Sequence, residues 1–177
     1  MGKDGRISPK FLHPGPGYGG SCFPKDTKAL NFQSDHAGVK LKTVKATIDV
    51  NREQRTRLID KARRFFPTFR DVRVAIIGLT FKPGTDDLRE APAKQNIDIL
   101  LNEGADIIAW DPLGVENFRK RYPNCAINFA KDIDEALTDA DVCLIMTEWE
   151  KIVEYPLDNY KKYMKRPLVF DGRNCYK

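Results

Sequence analysis

Hydrophobic and polar positions change their spacing along the chain, and the change is clearest after residue 71. From there, short apolar runs alternate with segments of helical spacing. The runs RVAIIGL, ADIIAWD, CAINF, DVCLIMT and PLVFDGR have the composition of strands. The segments APAKQNIDILLNEG, closed by Gly104, GVENFRKRY, and DIDEALTDA, opened by Asp132, predict helices. Buried strands that alternate with helices predict an α/β fold with a parallel, doubly wound sheet.

Residues 41–66 predict one long helix. Asn51 and Arg55 interrupt its apolar stripe, and Pro67 ends it. A long helix with a polar interruption is typical of elements that bridge domains or subunits. The apolar positions, spaced by three and four residues, are Leu41, Val44, Ile48, Leu58, Ala62 and Phe65.

Residues 1–40 are rich in loops and hold too few apolar residues for a core of their own. One short helix is predicted after Pro24. The segment GPGYGGSCFPKD formally matches G-x-G-x-x-G, but the preceding KFLHP is too short, and too close to proline, to be the strand that a dinucleotide site requires. We therefore expect its glycines to let backbone amides close on a ligand or on the Cys22 loop.

Composition and charge narrow the class of protein. The chain has 177 residues, 41% hydrophobic and 31% charged, with a net charge of +5. It shows neither an apolar run long enough for a membrane helix nor a secretory signal, so we expect a cytoplasmic protein without a membrane partner. The basic stretches KARRFFPTFR and YKKYMKR suit solvated helix faces or a phosphate pocket, and without a nucleic-acid motif we expect no nucleic-acid partner.

The thiols and imidazoles do not form a recognisable metal motif. The four cysteines include no C-x-x-C pair, and the two histidines lie far apart, so we expect neither a metal site nor a disulfide framework. Cys22 precedes the predicted helix start by two residues, a place that favours the thiolate. Lys25 lies nearby, and Asp26, four residues on, could handle a proton or a water. These residues suit an activated nucleophile, but a packed structural thiol remains an alternative.

The loop GLTFKPGTDDLRE follows the first strand of the α/β region. Its sequence matches neither G-x-G-x-x-G nor a P-loop. It is therefore interpreted either as a solvated loop or as an anion-binding loop in which Lys82 and Arg89 contact the anion. Asp111 ends the second strand, where an acid binds the ribose in dinucleotide-binding domains, although its spacing from Gly78 is longer than usual.

Two sequence blocks together carry a resemblance to a known family. GYGGSCFPKD followed by FKPGTDDLREAP is similar to the UDP-glucose 6-dehydrogenase family. DGRISPKFL, WDP, TEW and DGRN resemble further blocks of that family, in its order. Relatives that oxidise UDP-N-acetylhexosamines resemble the chain less, since their cysteine block is typically Gly-His-Cys. GDP-mannose dehydrogenases remain an alternative.

The resemblance implies an NAD-dependent oxidation of UDP-glucose to UDP-glucuronate, with two NAD molecules used in succession. Cys22 would add to the aldehyde-level intermediate as a thiohemiacetal, which a second oxidation turns into a thioester that water hydrolyses. Asp26 would position or deprotonate that water. Arg89 would reach the NAD pyrophosphate. Contacts to the sugar nucleotide would come from Arg6, Phe11, Leu12, Gly15, Gly17, Tyr18, Gly19, Gly20, Phe81, Lys82 and Arg173.

The resemblance also implies a division of the chain. Residues 1–66 would be the end of a central helical domain, and residues 67–177 a Rossmann-like UDP-binding domain. The helix over residues 41–66 would pair two copies in a homodimer, in which Arg6 reaches the substrate of the neighbouring subunit. Because family members begin with an NAD-binding Rossmann domain that this chain lacks, we expect a carboxyl-terminal portion that is inactive alone. A non-catalytic module for nucleotide-sugar binding or dimerisation is the alternative.

Overall fold

The computed structural model describes residues 2–6 and 12–176. The described strands are β1 (Arg73–Ile77), β2 (Asp106–Trp110), β3 (Asn128–Phe129), β4 (Val142–Ile145) and β5 (Val169–Asp171). The described helices are α1 (Cys22–His36), α2 (Lys42–Gln54), α3 (Arg57–Ala62), α4 (Pro92–Asn102), α5 (Val115–Arg121), α6 (Ile133–Leu137), α7 (Glu150–Val153) and α8 (Leu157–Tyr163).

The strands form one parallel sheet in the order β3-β2-β1-β4-β5. At its centre, Ile76 of β1 lies opposite Ala109 of β2 and Leu144 of β4. The predicted parallel, doubly wound α/β fold is therefore confirmed. The strand order reverses between β1 and β4, and in open α/β sheets ligands bind beyond the carboxyl ends of the strands at this point.

Alternate residues of β1 point into two separate cores. Val74 and Ile76 pack on the face covered by α3, α4 and α5, whereas Ala75 and Ile77 pack on the face covered by α6 and α8. Helix α3 contributes Leu58, Ile59 and Ala62 to the first of these cores. It therefore packs on the sheet, although the predicted boundary at residue 66 groups it with the preceding domain.

The prediction of one continuous helix over residues 41–66 is wrong. Helix α2 ends at Gln54 and α3 spans Arg57–Ala62, with a turn at Arg55 and Thr56 between them. The Asn96 side chain, on α4, donates a hydrogen bond from Nδ2 to the Arg55 carbonyl oxygen over 2.8 Å. This contact satisfies a carbonyl that a continuous helix would use internally, so the chain can turn there.

The amino-terminal helix also differs from its prediction. Helix α1 begins at Cys22 rather than after Pro24, and with 15 residues it is not short. Helices α7 and α8 were not expected from the sequence. The predicted start of α6 is confirmed, since the Asp132 carboxylate accepts a hydrogen bond from the Glu135 N–H over 2.8 Å. In the described part of the chain, none of the helices has the length and apolar character needed to cross a membrane.

Candidate active site

Polar side chains at the end of α2 hold the glycine-rich loop before Cys22. Asn51 accepts a hydrogen bond from the Tyr18 N–H over 2.7 Å and donates one to the Tyr18 carbonyl over 3.3 Å. Arg55 donates to the same carbonyl over 3.1 Å, and Gln54 donates to the Gly15 carbonyl over 3.1 Å. Asn51 and Arg55, which break the apolar stripe of the sequence, therefore fix the loop backbone.

The other side of this loop lies against the segment that follows β1. The Gly20 N–H donates to the Arg89 carbonyl over 2.8 Å. Glu90 forms ion pairs with Lys28 at 3.2 Å and with Arg55 at 3.0 Å. A Cβ at Gly19 would lie 2.4 Å from the Glu90 carbonyl oxygen, closer than real Cβ atoms come, so the approach requires glycine.

A cavity of about 1160 Å³ opens between this loop, α2 and the carboxyl ends of β1 and β4. Its position at the switch point of the sheet is where ligands of such folds bind. Side chains that the sequence did not single out as ligands, including Gln54 and Glu148, also line it. The predicted ligand residues that line it are Gly15, Gly17, Tyr18, Gly19, Phe81, Lys82 and Arg173.

Arg173 supplies a fixed cation to the cavity wall. Its side chain is 14% exposed and pairs with Glu148 across 3.1 Å. Nε donates to the Met146 carbonyl over 2.9 Å, and Nη2 donates to the Phe81 carbonyl over 2.8 Å. Burial lowers the pKa of the Arg173 guanidinium, and Glu148 opposes part of that shift. A Cβ at Gly15 would lie 2.8 Å from Arg173 Nη1, so glycine there leaves room for the guanidinium.

Cys22 is the first residue of α1, and its thiol is exposed. The Ser21 hydroxyl lies 3.7 Å from Cys22 Sγ. Asp26 follows one turn later, and residues four apart on a helix are neighbours. Asp26 pairs with Lys25 across 2.6 Å, which raises the pKa of Lys25. Neither Cys22 nor Asp26 lines the cavity, but Phe23, next to Cys22, does.

The remaining three cysteines lie in different surroundings. Cys143 is buried within β4, and burial raises the pKa of its thiol far above the ordinary value. Burial, with Asp171 adding to it, raises the pKa of Cys175 to about 12. Burial also raises the pKa of Cys125. Cys22 is the only exposed thiol of the four.

Several predicted site residues lie outside the cavity wall. Gly20 is buried beside the Phe81 ring, and Leu12 is exposed. Arg6 is exposed and pairs with Asp4 across 2.7 Å. Phe11 lies outside the described residues.

Arg89 is the predicted contact for NAD. Its guanidinium is exposed and pairs with the Asp87 carboxylate across 2.7 Å, which holds the pKa of Asp87 below its ordinary value. The strand β1 leads into GLTFK rather than a glycine-rich turn of the dinucleotide type. The contact between Arg89 and NAD stays a prediction.

Asp111 has a structural role that its sequence position did not reveal. The carboxylate is 4% exposed and accepts six hydrogen bonds. The donors are the N–H groups of Leu79, Thr80, Leu113 and Gly114, the Thr80 hydroxyl and the Trp149 indole. With both oxygens fully engaged, the interpretation of Asp111 as a ribose ligand is wrong. It joins the segments that follow β1, β2 and β4.

A parallel sheet with a cavity of about 1160 Å³ at its switch point, lined by Arg173 and Lys82, defines an α/β protein of the class that binds ligands beyond the carboxyl ends of its strands. Comparison with known proteins gives the family. Residues 75–177 match the UDP-binding domain, and residues 1–53 the central domain, of the UDP-glucose/GDP-mannose dehydrogenase family. The chain belongs to this family, which confirms the resemblance seen in its motifs.

Individual relatives support the same assignment. The chain is 42% identical to UDP-glucose 6-dehydrogenase YwqF of Bacillus subtilis over 99% of its length, and 41% identical to UDP-glucose 6-dehydrogenase AglM of Haloferax volcanii over 98%. It superposes on the structure of a UDP-glucose dehydrogenase from Pyrobaculum islandicum with a TM-score of 0.86 at 30% identity over 99% of the chain. The chain spans about 40% of the length of these relatives.

Proposed function

We propose that this chain carries the nucleophile and the sugar-nucleotide site of an NAD-dependent UDP-glucose 6-dehydrogenase. The observation that carries the proposal is an exposed cysteine at the start of α1, next to a cavity of about 1160 Å³ at the switch point of the sheet. The identity of about 42% to a UDP-glucose 6-dehydrogenase supports UDP-glucose over GDP-mannose as the substrate.

The cavity residues would bind UDP-glucose by charge and shape. Lys82 and Arg173 offer cations to a pyrophosphate, and the Phe81 ring offers an apolar surface beside Lys82 Nζ, which lies 5.4 Å from its centroid. The loop from Gly15 to Gly20 brings backbone close to the ligand, since it carries few side chains to block the approach. Asn51 and Arg55 would keep that loop in place before the substrate arrives.

Cys22 would act as a covalent catalyst on the sugar carbon. Its thiolate adds to the aldehyde-level carbon, so that a C–S bond forms and the carbonyl oxygen takes a proton. At the thioester level, water attacks the same carbon, the C–S bond breaks, and the thiolate leaves as the carboxylate forms. Asp26, one helical turn from Cys22, would orient that water or accept its proton.

NAD would accept the hydride in each oxidation. Because the described residues offer it only Arg89, we propose that the rest of its site lies in the part of the relatives' length that this chain does not span. The 177-residue chain should then bind UDP and UDP-glucose without reducing NAD.

We also propose that two copies pair through α2, with Arg6 reaching the neighbouring site. Helix α2 has no buried residue in the described chain, and Lys45 on it is exposed and lies outside the cavity wall, so this helix can offer a partner copy a face that the ligand does not use. Size-exclusion chromatography with light scattering should give twice the chain mass of 20.2 kDa. A Lys45→Glu variant, at an exposed position on α2 outside the cavity wall, should shift the protein toward the monomer, whereas Lys151→Glu, at an exposed position on α7, should not.

Complementation tests the enzymatic proposal. UDP binding is measured by calorimetry on the chain alone, and NADH production is followed after adding the remaining length of a relative in trans. We expect binding by the chain alone, restored turnover, and loss of that turnover in Cys22→Ser. UDP binding without restored turnover would favour the non-catalytic module. Robust NAD reduction by the chain alone would contradict our placement of the NAD site.

A further inference from the structure

Glu148 is the one acidic side chain among the described residues that line the cavity. It follows β4, at the switch point of the sheet, and its side chain is 39% exposed. A carboxylate is unexpected in the lining of a pocket that would hold two phosphate groups, because like charges repel. Its presence therefore calls for a role other than phosphate binding.

Both neighbours of Glu148 are anchored, so its backbone is fixed. On one side, Thr147 is fully buried and its hydroxyl donates to the Thr80 carbonyl. On the other side, the Trp149 indole donates to the Asp111 carboxylate over 3.1 Å. A side chain held between two anchored residues is pre-organised to act on a ligand, since little conformational entropy is lost on binding.

One carboxylate oxygen of Glu148, Oε2, accepts no hydrogen bond from the described residues. Oε2 lies 3.1 Å from Arg173 Nε, close enough to share charge. However, this Arg173 N–H points to the Met146 carbonyl, and within the described chain Glu148 Oε2 is buried without a hydrogen bond. An ionised carboxylate accepts several hydrogen bonds and donates none, so the exposed part of this side chain, which lines the cavity, is the part that a donor on the ligand can reach.

The chemistry of the ligand decides which donors can serve. Pyrophosphate oxygens are acceptors with negative charge, so they cannot bond to the carboxylate, but they can bond to Lys82 and Arg173. Hydroxyl groups of the ribose or of the hexose, which flank the pyrophosphate, are donors. In related α/β folds, an acidic side chain at a strand end commonly accepts from a ribose hydroxyl.

We propose that Glu148 is a specificity-determining residue that accepts a hydrogen bond from a hydroxyl of the bound nucleotide sugar, next to its pyrophosphate. The proposal deepens the UDP-glucose site proposed above and rests on it. Glu148 then sets the direction of the ligand, because its charge repels the phosphates while its oxygens attract the hydroxyl-bearing part.

Calorimetry on the full 177-residue chain tests this role with three ligands. UDP has the ribose hydroxyls, dideoxy-UDP lacks both, and UDP-glucose adds the hexose. Glu148→Gln keeps the size and removes the charge, whereas Glu148→Asp keeps the charge and shortens the reach. Glu154→Gln, at an exposed position away from the cavity, is the matched control. Circular dichroism verifies that every variant is folded.

If a ribose hydroxyl is the donor, both Glu148 variants should bind UDP and UDP-glucose about tenfold more weakly, with less than about a twofold change for dideoxy-UDP. If a hexose hydroxyl is the donor, only UDP-glucose should weaken by that factor. The control should match the wild-type chain with all three ligands. Either pattern supports the proposal and identifies the sugar that carries the donor hydroxyl.

Three results would overturn it. An equal change with all three ligands, or no change with any, would leave Glu148 as a counter-ion of Arg173 only. Wild-type chain that binds none of the ligands would remove the UDP-sugar site itself, and with it both proposals. Because the wild-type measurement comes first, the failure of the site and the failure of Glu148 are distinguishable.

Discussion

Replacing Asp111 with asparagine keeps the size of this buried side chain but removes the negative charge of a carboxylate that accepts six hydrogen bonds. Oδ2 accepts from the Leu79 and Thr80 N–H groups at 2.7 and 3.2 Å, and from the Thr80 hydroxyl and the Trp149 indole at 3.2 and 3.1 Å. Oδ1 accepts from two further N–H groups, those of Leu113 and Gly114, at 3.0 and 2.7 Å. Asparagine must place an NH₂ group at one of these two positions.

The expected loss in the free energy of unfolding follows from the less costly of the two orientations of the new amide group. With the NH₂ group at the Oδ1 position, two backbone N–H groups lose their acceptor and face another donor. Each unsatisfied buried donor costs about 1–3 kcal/mol, so Asp111→Asn should lower the free energy of unfolding by about 2–6 kcal/mol. The opposite orientation would leave more donors unsatisfied and cost more.

Urea unfolding followed by circular dichroism measures this change. Asp158→Asn is the matched control, because the Asp158 side chain is 92% exposed and pairs with Lys161 across 3.3 Å at the surface. The control should stay within about 0.5 kcal/mol of the wild-type chain. A comparably small effect at Asp111 would refute the reasoning, since it would mean that the carboxylate does not hold the three strand-end segments together.

Two further predictions concern the loop and the thiols. Iodoacetamide at neutral pH should alkylate Cys22 alone, because the other three thiols are wholly or partly buried with raised pKa values; peptide mass mapping checks this. At pH 10, Cys175 should still resist alkylation. Its pKa of about 12 lies well above that pH, so few of the thiols are in the reactive thiolate form. Gly19→Ala should destabilise the chain by about 1–3 kcal/mol in urea unfolding, because the new Cβ would meet the Glu90 carbonyl. Gly5→Ala, with nothing within 4 Å, should have little effect. Alkylation of Cys175 at neutral pH, or equal stability of both glycine variants, would contradict these readings.

The sheet could be predicted because its information is local. Runs such as VAII and VCLI are apolar on both faces, which a strand buried in a parallel sheet requires. The break between α2 and α3 could not be predicted in the same way. It depends on Asn96, which is 41 positions from Arg55 in sequence and reaches it only in the folded chain. Helices α7 and α8 have four and seven residues, and neither begins at a residue whose side chain caps it, which is the signal that marked the start of α6.

In the site, too, residues within a local motif could be predicted, whereas residues whose role depends on contacts between distant segments could not. The motif around Cys22 drew attention because glycine, cysteine and an acid cluster there, and the charged loop after β1 did so for Lys82. The surroundings of Glu148 gave no such signal, because its meaning comes from the cavity and from Arg173. Asp111 misled for the opposite reason: its place at a strand end suggested a ligand, whereas its six donors become visible only when three strand ends meet.

The close approach of Arg173 to Gly15 makes the two positions depend on each other under mutation. Because Nη1 occupies the space that a Cβ at Gly15 would need, 2.8 Å away, a small side chain at position 15 is harmful while arginine stands at 173. A shorter residue at 173 would free that space and make the same change at 15 tolerable. The effect of one substitution is therefore conditional on the other. Library designs that vary the residues lining the cavity should change these two positions, 158 apart in sequence, as a pair.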